Sequence, residues 1–451
     1  MTDRHSHFSR SSIIFLGIIF IIALFVRIQF VRLTIDHIYI ARDAKQYVRY
    51  AHNIVEHGVF SKTTSSVHLR PDSYRSPGYP LFIALAMAVG GERYYLAILI
   101  FSQAILSALL VPLTFFTGIF FLPAYGALIA AMLVAISPHL ITITGCVLTE
   151  SLYAFFLLSA ICCFQYALAK NYTIFFITAA VLFGCAYLTN EISLFIPYLL
   201  LLIIMGSKFT GRNKRLQNGI LLKMAVFGMI FSVAPITWSV RNHLNVPSDA
   251  KKGSDRAIVT MSHGAYPDFI YKSPRYKRFP YREDPMQPAF GDSLETFRHI
   301  LWERVKKEPL RYVKWYLVGK PYYLWSWDII QGVGDIYINP VKNSLFKISK
   351  IAGLSKTTMN FFHPIVLLLA LAGIPLLYRA CRYQKTEEML LRTAFIPLTI
   401  CIYFTVIYCV FAPWPRYSIP VRPELYLCSL WSLTIFIGIL PKKMWSIYGK
   451  R

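Results

Sequence analysis

Long stretches of this sequence carry almost no charge, and several approach the roughly 20 apolar residues that an α-helix needs to cross a bilayer. They recur at 12–33, 94–120, 122–142, 150–169, 173–189, 191–206, 220–240, 361–378, 393–411 and 421–440. A soluble domain of 451 residues cannot bury a chain that is 56% hydrophobic and only 15% charged. The expected fold class is therefore an all-α polytopic membrane protein with about ten transmembrane helices (range 9–13) and both ends on one side. The stretch 79–90 is apolar but short, and reads as a membrane-dipping helix. The first run follows Arg4 and Arg10, has no small-x-small cleavage site after it, and is followed by Arg27 and Arg32, which describes an uncleaved first span.

The formal charge of +25 does not point to nucleic acid in a membrane chain. Dense basic loops mark the cytoplasmic side, and part of the excess suits anionic lipid headgroups. Three clusters serve as markers: Lys208, Arg212, Lys214, Arg215 and Lys223; Arg379, Arg382, Lys385 and Arg392; and Lys442, Lys443, Lys450 and Arg451. With these inside, the chain divides into an N-terminal transmembrane module (1–240) with a first outer loop at 34–78, an extracytoplasmic segment (241–360), and C-terminal transmembrane helices (361–451). Tyr312 to Asp328, rich in Trp and Tyr and interrupted by Lys314 and Lys320, suits a helix at the membrane–water boundary. Eight cysteines without CxxC spacing read as buried small hydrophobes. There is no internal repeat, GxGxxG or P-loop.

Chemistry-bearing residues gather in the outer pieces. Asp43 begins a stretch with apolar residues at helical spacing that stops at Gly58, and Asp43 with Gln46 has the form of a capping box. Asp43 is thus either a helix cap or a general base or metal ligand. Arg75-Ser76-Pro77-Gly78-Tyr79-Pro80 is a rigid turn whose arginine either holds a phosphate or snorkels to headgroups. Thr149-Glu150 opens a span, with Thr149 a plausible cap and Glu150 either a partner of the positive helix end or a second acid facing Asp43. Arg241, after Trp238, and Arg416, after Trp414, end the list of outer arginines. Ionisable groups deep in the spans, which an ion-coupled transporter normally needs, are not conspicuous.

In order as well as content these motifs resemble the C-type glycosyltransferase superfamily, in its dolichyl-phosphate-mannose protein mannosyltransferase-like and aminoarabinose-transferase-like branch. The resemblance runs from residue 12 to about 440. It is carried by Asp43 with Tyr47, Gly58-Val-Phe60-Ser61, the Arg75-to-Pro80 turn, Leu-Thr-Glu150-Ser, Pro-x-x-Trp238-x-x-Arg-Asn242 and Arg416-Tyr417-x-x-Pro420. It implies inverting transfer of a sugar from a polyprenyl-phosphate donor to an extracytoplasmic acceptor: lipid, glycan or protein. Asp43 and Glu150 would match the catalytic acids. Arg75, Arg241 and Arg416, with Tyr47 and Tyr417, would match positions near substrate and carrier phosphate. A divalent metal ion is the one cofactor implied, with Asp43 and Glu150 its candidate ligands. The resemblance also implies a bacterial cytoplasmic membrane with the site on its outer face. A transporter or flippase of lipid-linked sugars is the alternative. One departure stands out: where the family often places a basic residue after a Leu-Thr pair, this chain has Asn190-Glu191.

Overall fold

A computed structural model describes residues 9–38, 40–64, 69–209, 218–267, 289, 291, 293–327, 344–383, 391 and 393–438. Among them the secondary structure is helical apart from one isolated bridge, Ser73 with Lys252. The main helices are α1 (Arg10–Thr34), α2 (Asp43–His57), α3 (Gly78–Gly118), α4 (Ala124–Ile136), α5 (Pro138–Thr142), α6 (Glu150–Lys170) and α7 (Thr173–Thr189). They continue as α8 (Phe195–Phe209), α9 (Asn218–Asn245), α10 (Gly253–Ala265), α11 (Leu294–Lys307), α12 (Lys350–Tyr383), α13 (Phe395–Val410) and α14 (Arg422–Phe436).

Among the described residues each expected run is mainly helical, although 122–142 is split at Ser137 and 191–206 begins with a 3₁₀ turn, and the count of ten spans is not established by helix length. Five helices are long and apolar enough to cross a membrane alone, and up to six if α4 and the bent stretch after it, Pro138–Gly145, form one broken span. The short apolar stretch at 79–90 is not separate. It is the first part of α3, which kinks at Gly91, whose φ of 57° and ψ of −173° only glycine adopts readily. α9 contains Pro235, and α12 contains Pro364 and Pro375.

The bundle packs α1 against α3 and α4, α6 against α7, α7 against α9, and α12 against α14. The outward side of α1 carries exposed Ile14, Phe15, Ile18, Ile21 and Phe25, as a lipid-facing helix should. Arg27 is a charged residue inside this span. It is fully buried, and its guanidinium donates to Val134 O and Ala135 O, both at 2.9 Å, and to Ser107 Oγ at 2.8 Å. It thereby satisfies carbonyls at the C-terminal end of α4.

The expected boundary helix at 312–328 is a chain of short pieces: Pro309–Lys314, a π turn at Trp315–Gly319, and Lys320–Leu324. Lys320 does not reach solvent. It is buried and donates to Cys409 O at 2.6 Å and Phe411 O at 3.1 Å, capping the end of α13. Asp328 and most of the basic marker residues lie outside the described residues.

Candidate functional site

A cavity of about 1120 Å³ opens at one end of the bundle. The ends of α7, α9 and α13 and the starts of α2, α6 and α8 converge on it. The opposite ends of α6 to α9 and of α13 lie away from it.

The first loop builds one wall. The residues Ala44, Tyr47, Val48 and Ala51 form the buried stripe of α2 and pack on α3. Tyr47 meets Tyr79 edge-on at 5.1 Å. Asp72 pulls the returning loop onto α2 by accepting from the Tyr50 hydroxyl, from Lys62 N at 2.8 Å and from Tyr74 N at 3.0 Å. The turn then closes at Gly78, where a Cβ would lie 2.8 Å from both Leu188 O and Thr189 Oγ1. Only glycine allows this approach, so the turn seats Arg75 at the mouth of the cavity.

Asp43 is not a cap. Arg42 is the N-cap residue, with φ 49° and ψ −115°, and no side chain caps the helix. Backbone strain of order 1–3 kcal/mol thus sits directly before the acid. Its carboxylate turns to two arginines instead: Arg75 Nη2 at 2.6 Å on Oδ1 and Arg416 Nη2 at 3.2 Å on Oδ2. Gln46, the other half of the expected capping box, accepts from Arg75 Nε at 2.9 Å. Partial burial by itself would raise the Asp43 carboxyl, but the two guanidiniums outweigh it and hold it well below the usual carboxylate range.

Glu150 begins α6 and is buried. Thr149 stands at the N-cap position, but its hydroxyl does not cap the helix. Arg416 Nε reaches Glu150 Oε1 at 2.9 Å, so one guanidinium joins both acids. Arg416 also lies 5.1 Å over the Tyr417 ring, which stacks on Tyr408 at 4.8 Å and 17°. Burial raises the Tyr47 and Tyr417 phenols above their usual value, so both remain protonated donors.

The acids fit a divalent ion poorly. Both oxygens of Asp43 and one of Glu150 are engaged by guanidiniums, and no cluster of three His, Cys, Asp or Glu among the described residues is arranged for a metal. No step below is routed through one.

Six of the seven residues singled out line this cavity: Asp43, Tyr47, Arg75, Glu150, Arg416 and Tyr417. Arg241 does not. Its guanidinium donates to Asp72 O at 2.8 Å and Phe60 O at 3.2 Å and lies 5.1 Å from the Trp238 ring, so it braces the first loop. Replacing Arg241 with Ala should therefore lower stability by about 1–3 kcal/mol and leave phosphate affinity per folded molecule unchanged. Thermal unfolding beside carrier binding checks this; weakened binding with unchanged unfolding would return Arg241 to the site. Glu191 and Arg256, not among the residues singled out, form an ion pair on the cavity wall.

The sequence model of dolichyl-phosphate-mannose-protein mannosyltransferase matches residues 13–240. The chain belongs to this family. Among solved structures, the apo oligosaccharyltransferase of Archaeoglobus fulgidus aligns at a TM-score of 0.50 and 16% identity, over 97% of this chain and 52% of that one. Its likeness shows the C-type fold. AglB from the same organism, in complex with an inhibitory peptide and a dolichol-phosphate, aligns at 0.49 and 14% identity, over 98% and 52% of the two chains. ArnT from Cupriavidus metallidurans, bound to undecaprenyl phosphate, aligns at 0.39 and 11% identity, over 94% and 77%. The mannosyltransferase-family chain thus spans about half the length of the oligosaccharyltransferases it matches. No curated protein shows a significant match.

Proposed function

We propose that this integral membrane protein transfers a sugar from a polyprenyl-phosphate donor to an extracytoplasmic acceptor with inversion. The observation that carries this reading is the Asp43–Arg416–Glu150 bridge, with Arg75 on the other oxygen of Asp43, inside one large cavity. The family's name supports the lipid-phosphate donor.

The acceptor's oxygen or nitrogen attacks the anomeric carbon from the face opposite the phosphate. Its proton passes to Asp43, and the electron pair of the breaking carbon–oxygen bond leaves with the carrier phosphate. That phosphate changes from a diester to a monoester and gains negative charge. The described lining carries five cations, Arg42, Arg75, Lys252, Arg256 and Arg416, against three carboxylates, Asp43, Glu150 and Glu191. This excess favours the product charge. An arriving phosphate also competes with Asp43 for Arg75 and Arg416, so donor binding makes Asp43 a stronger base when the acceptor needs one.

The helix ends at Phe209 and Asn218, which flank the basic stretch, belong to the bundle end away from the cavity. The positive-inside rule then puts the cavity outside. In sealed cells, a cysteine probe at Ser254, exposed beside the cavity, should label from outside, and one at Asn171, exposed at the far end, should not. The reverse pattern sinks the outer-face assignment. In proteoliposomes given an envelope extract as the source of acceptor, the protein should release free polyprenyl phosphate from a polyprenyl-phosphate hexose as the hexose passes to the acceptor, and leave a nucleotide sugar intact; consumption of the nucleotide sugar alone would overturn the donor class.

A further inference from the structure

One acid–guanidinium pair in the cavity is neutral as a pair, so it adds nothing to the cation excess, and the transfer steps assign it no contact. Glu191 opens the 3₁₀ turn between α7 and α8. Its Oε1 meets Arg256, and its Oε2 accepts from Ser76 Oγ at 3.0 Å. Arg256 comes from the first turn of α10 and lies 5.9 Å from the centre of the Tyr74 ring. Both side chains line the cavity and keep part of their surface open, 38% for Glu191 and 20% for Arg256. Burial by itself would lower Arg256, but Glu191 outweighs it, and the guanidinium stays charged.

A phosphate would be repelled by this carboxylate. A neutral, hydroxyl-rich group would not: a carboxylate accepts from hydroxyls and a guanidinium donates to them, so neighbouring hydroxyls on a sugar ring can satisfy both. The position agrees with this. Arg75 turns to Asp43 while the next residue, Ser76, turns to Glu191, so the phosphate-side and Glu191-side groups are adjacent along one turn. Gly253 borders the pair: a Cβ on it would make ordinary contact with Glu191 Oε2 at 3.6 Å and Ser73 O at 3.5 Å, so a longer side chain there would reach into the space beside Glu191. A purely bracing role explains less, because α10 is already tied down at both ends, by Ser73 N on Lys251 O at 3.4 Å and by Trp315 Nε1 on Gly264 O at 2.8 Å.

We infer that Glu191 and Arg256 read the hydroxyl pattern of the donor sugar and set which sugar this chain accepts. The inference rests on the lipid-phosphate donor reading above. It is tested by the affinity of the full-length protein in nanodiscs for a short-chain polyprenyl phosphate, and for the same carrier bearing mannose, glucose or 2-deoxyglucose. No acceptor is present, so an acceptor sugar cannot account for the result. The wild-type protein should prefer one sugar-bearing carrier by roughly tenfold or more, the scale of one hydrogen bond to a charged group. Glu191→Gln and Gly253→Leu should each reduce the preference to within about threefold, while affinity for the sugar-free carrier changes less than about twofold with Gly253→Leu and holds or tightens with Glu191→Gln, which removes a charge that repels phosphate. The swap Glu191→Arg with Arg256→Glu should not restore the preference, although it would restore a brace. A variant that discriminates as the wild type does, a swap that recovers the wild-type preference, or equal weakening toward every lipid overturns the inference alone. A wild-type protein that binds none of these lipids overturns the donor reading, and the inference with it.

Discussion

Asp43→Asn should lower the transfer rate by a factor of about 10² to 10⁴, the usual loss for removing a general base, while donor binding holds or tightens. Asn has the same shape but cannot take the acceptor's proton. Its amide also competes less for Arg75 and Arg416, which now hold the carboxylate at 2.6 and 3.2 Å. An incoming phosphate therefore meets two freer guanidiniums, and its affinity should rise. A modest loss of thermal stability should accompany this, because Asp43 is the counter-ion of two arginines rather than a replaceable helix cap. The pH dependence has a definite sign. Asp43 is depressed in the folded protein, so it stays ionised through mildly acidic conditions. The stability it contributes is present above the ordinary carboxylate value of about 3.9 and is lost only as pH falls through the depressed folded value. An acid limb of the free enzyme's rate between pH 5 and 6 must then belong to another group. Rate, donor dissociation constant and unfolding temperature on one preparation decide the matter. Transfer near the wild-type rate, or transfer and donor affinity lost together, would remove Asp43 from the proton-transfer step.

The fold class was legible because the apolar runs and their charged punctuation report directly on the solvent around each helix. The number of spans was less so: at Gly91 two apolar stretches continue as one kinked helix, and at Ile136 to Pro138 one stretch breaks, and local hydrophobicity cannot tell these apart. At the site, Asp43, Arg75, Glu150 and Arg416 were each readable as ionisable residues at helix ends or in the turns beside them. Their contacts span up to 373 residues of sequence, so which arginine meets which acid is a property of the packing. Arg241 shows the limit. An arginine beside Trp at a span end looks the same whether it holds a phosphate, a headgroup or, as here, the carbonyls of Phe60 and Asp72. Glu191 left a trace, an acid where the resemblance implied a base. Its partner Arg256 lies 65 residues away on another helix, in a segment with no periodic signal connecting them. The buried state of Lys320 was hidden for a similar reason: its partners are backbone carbonyls, which every residue carries.

Arg416→Ala should damage both the fold and the chemistry, and the two losses can be separated. The Glu150 side chain is only 5% exposed and its Oε1 is held by Arg416 Nε at 2.9 Å, while its Oε2 is buried with no hydrogen-bond partner among the described residues. Removing the guanidinium strands that carboxylate, and breaking a buried pair on one side costs about 3–5 kcal/mol. Asp43 keeps Arg75 and is affected less. Transfer should fall by a factor of about 10² to 10³, the scale for removing one preorganised donor to a developing anion. Arg416→Lys should recover part of each, since one ammonium cannot reproduce the fork that spans both acids. The separation comes from adding Glu150→Gln to Arg416→Ala. The double variant no longer carries an unpaired buried charge, so its unfolding temperature should return most of the way to the wild-type value. Its transfer rate should stay low, because nothing has replaced the cation at the leaving phosphate. A thermodynamic cycle over the four proteins then gives a large coupling between the two residues in stability and a small one in donor affinity. Should transfer recover along with stability, Arg416 would be only the counter-ion of Glu150, and the charge on the leaving phosphate would fall to Arg75 and the remaining cations of the cavity.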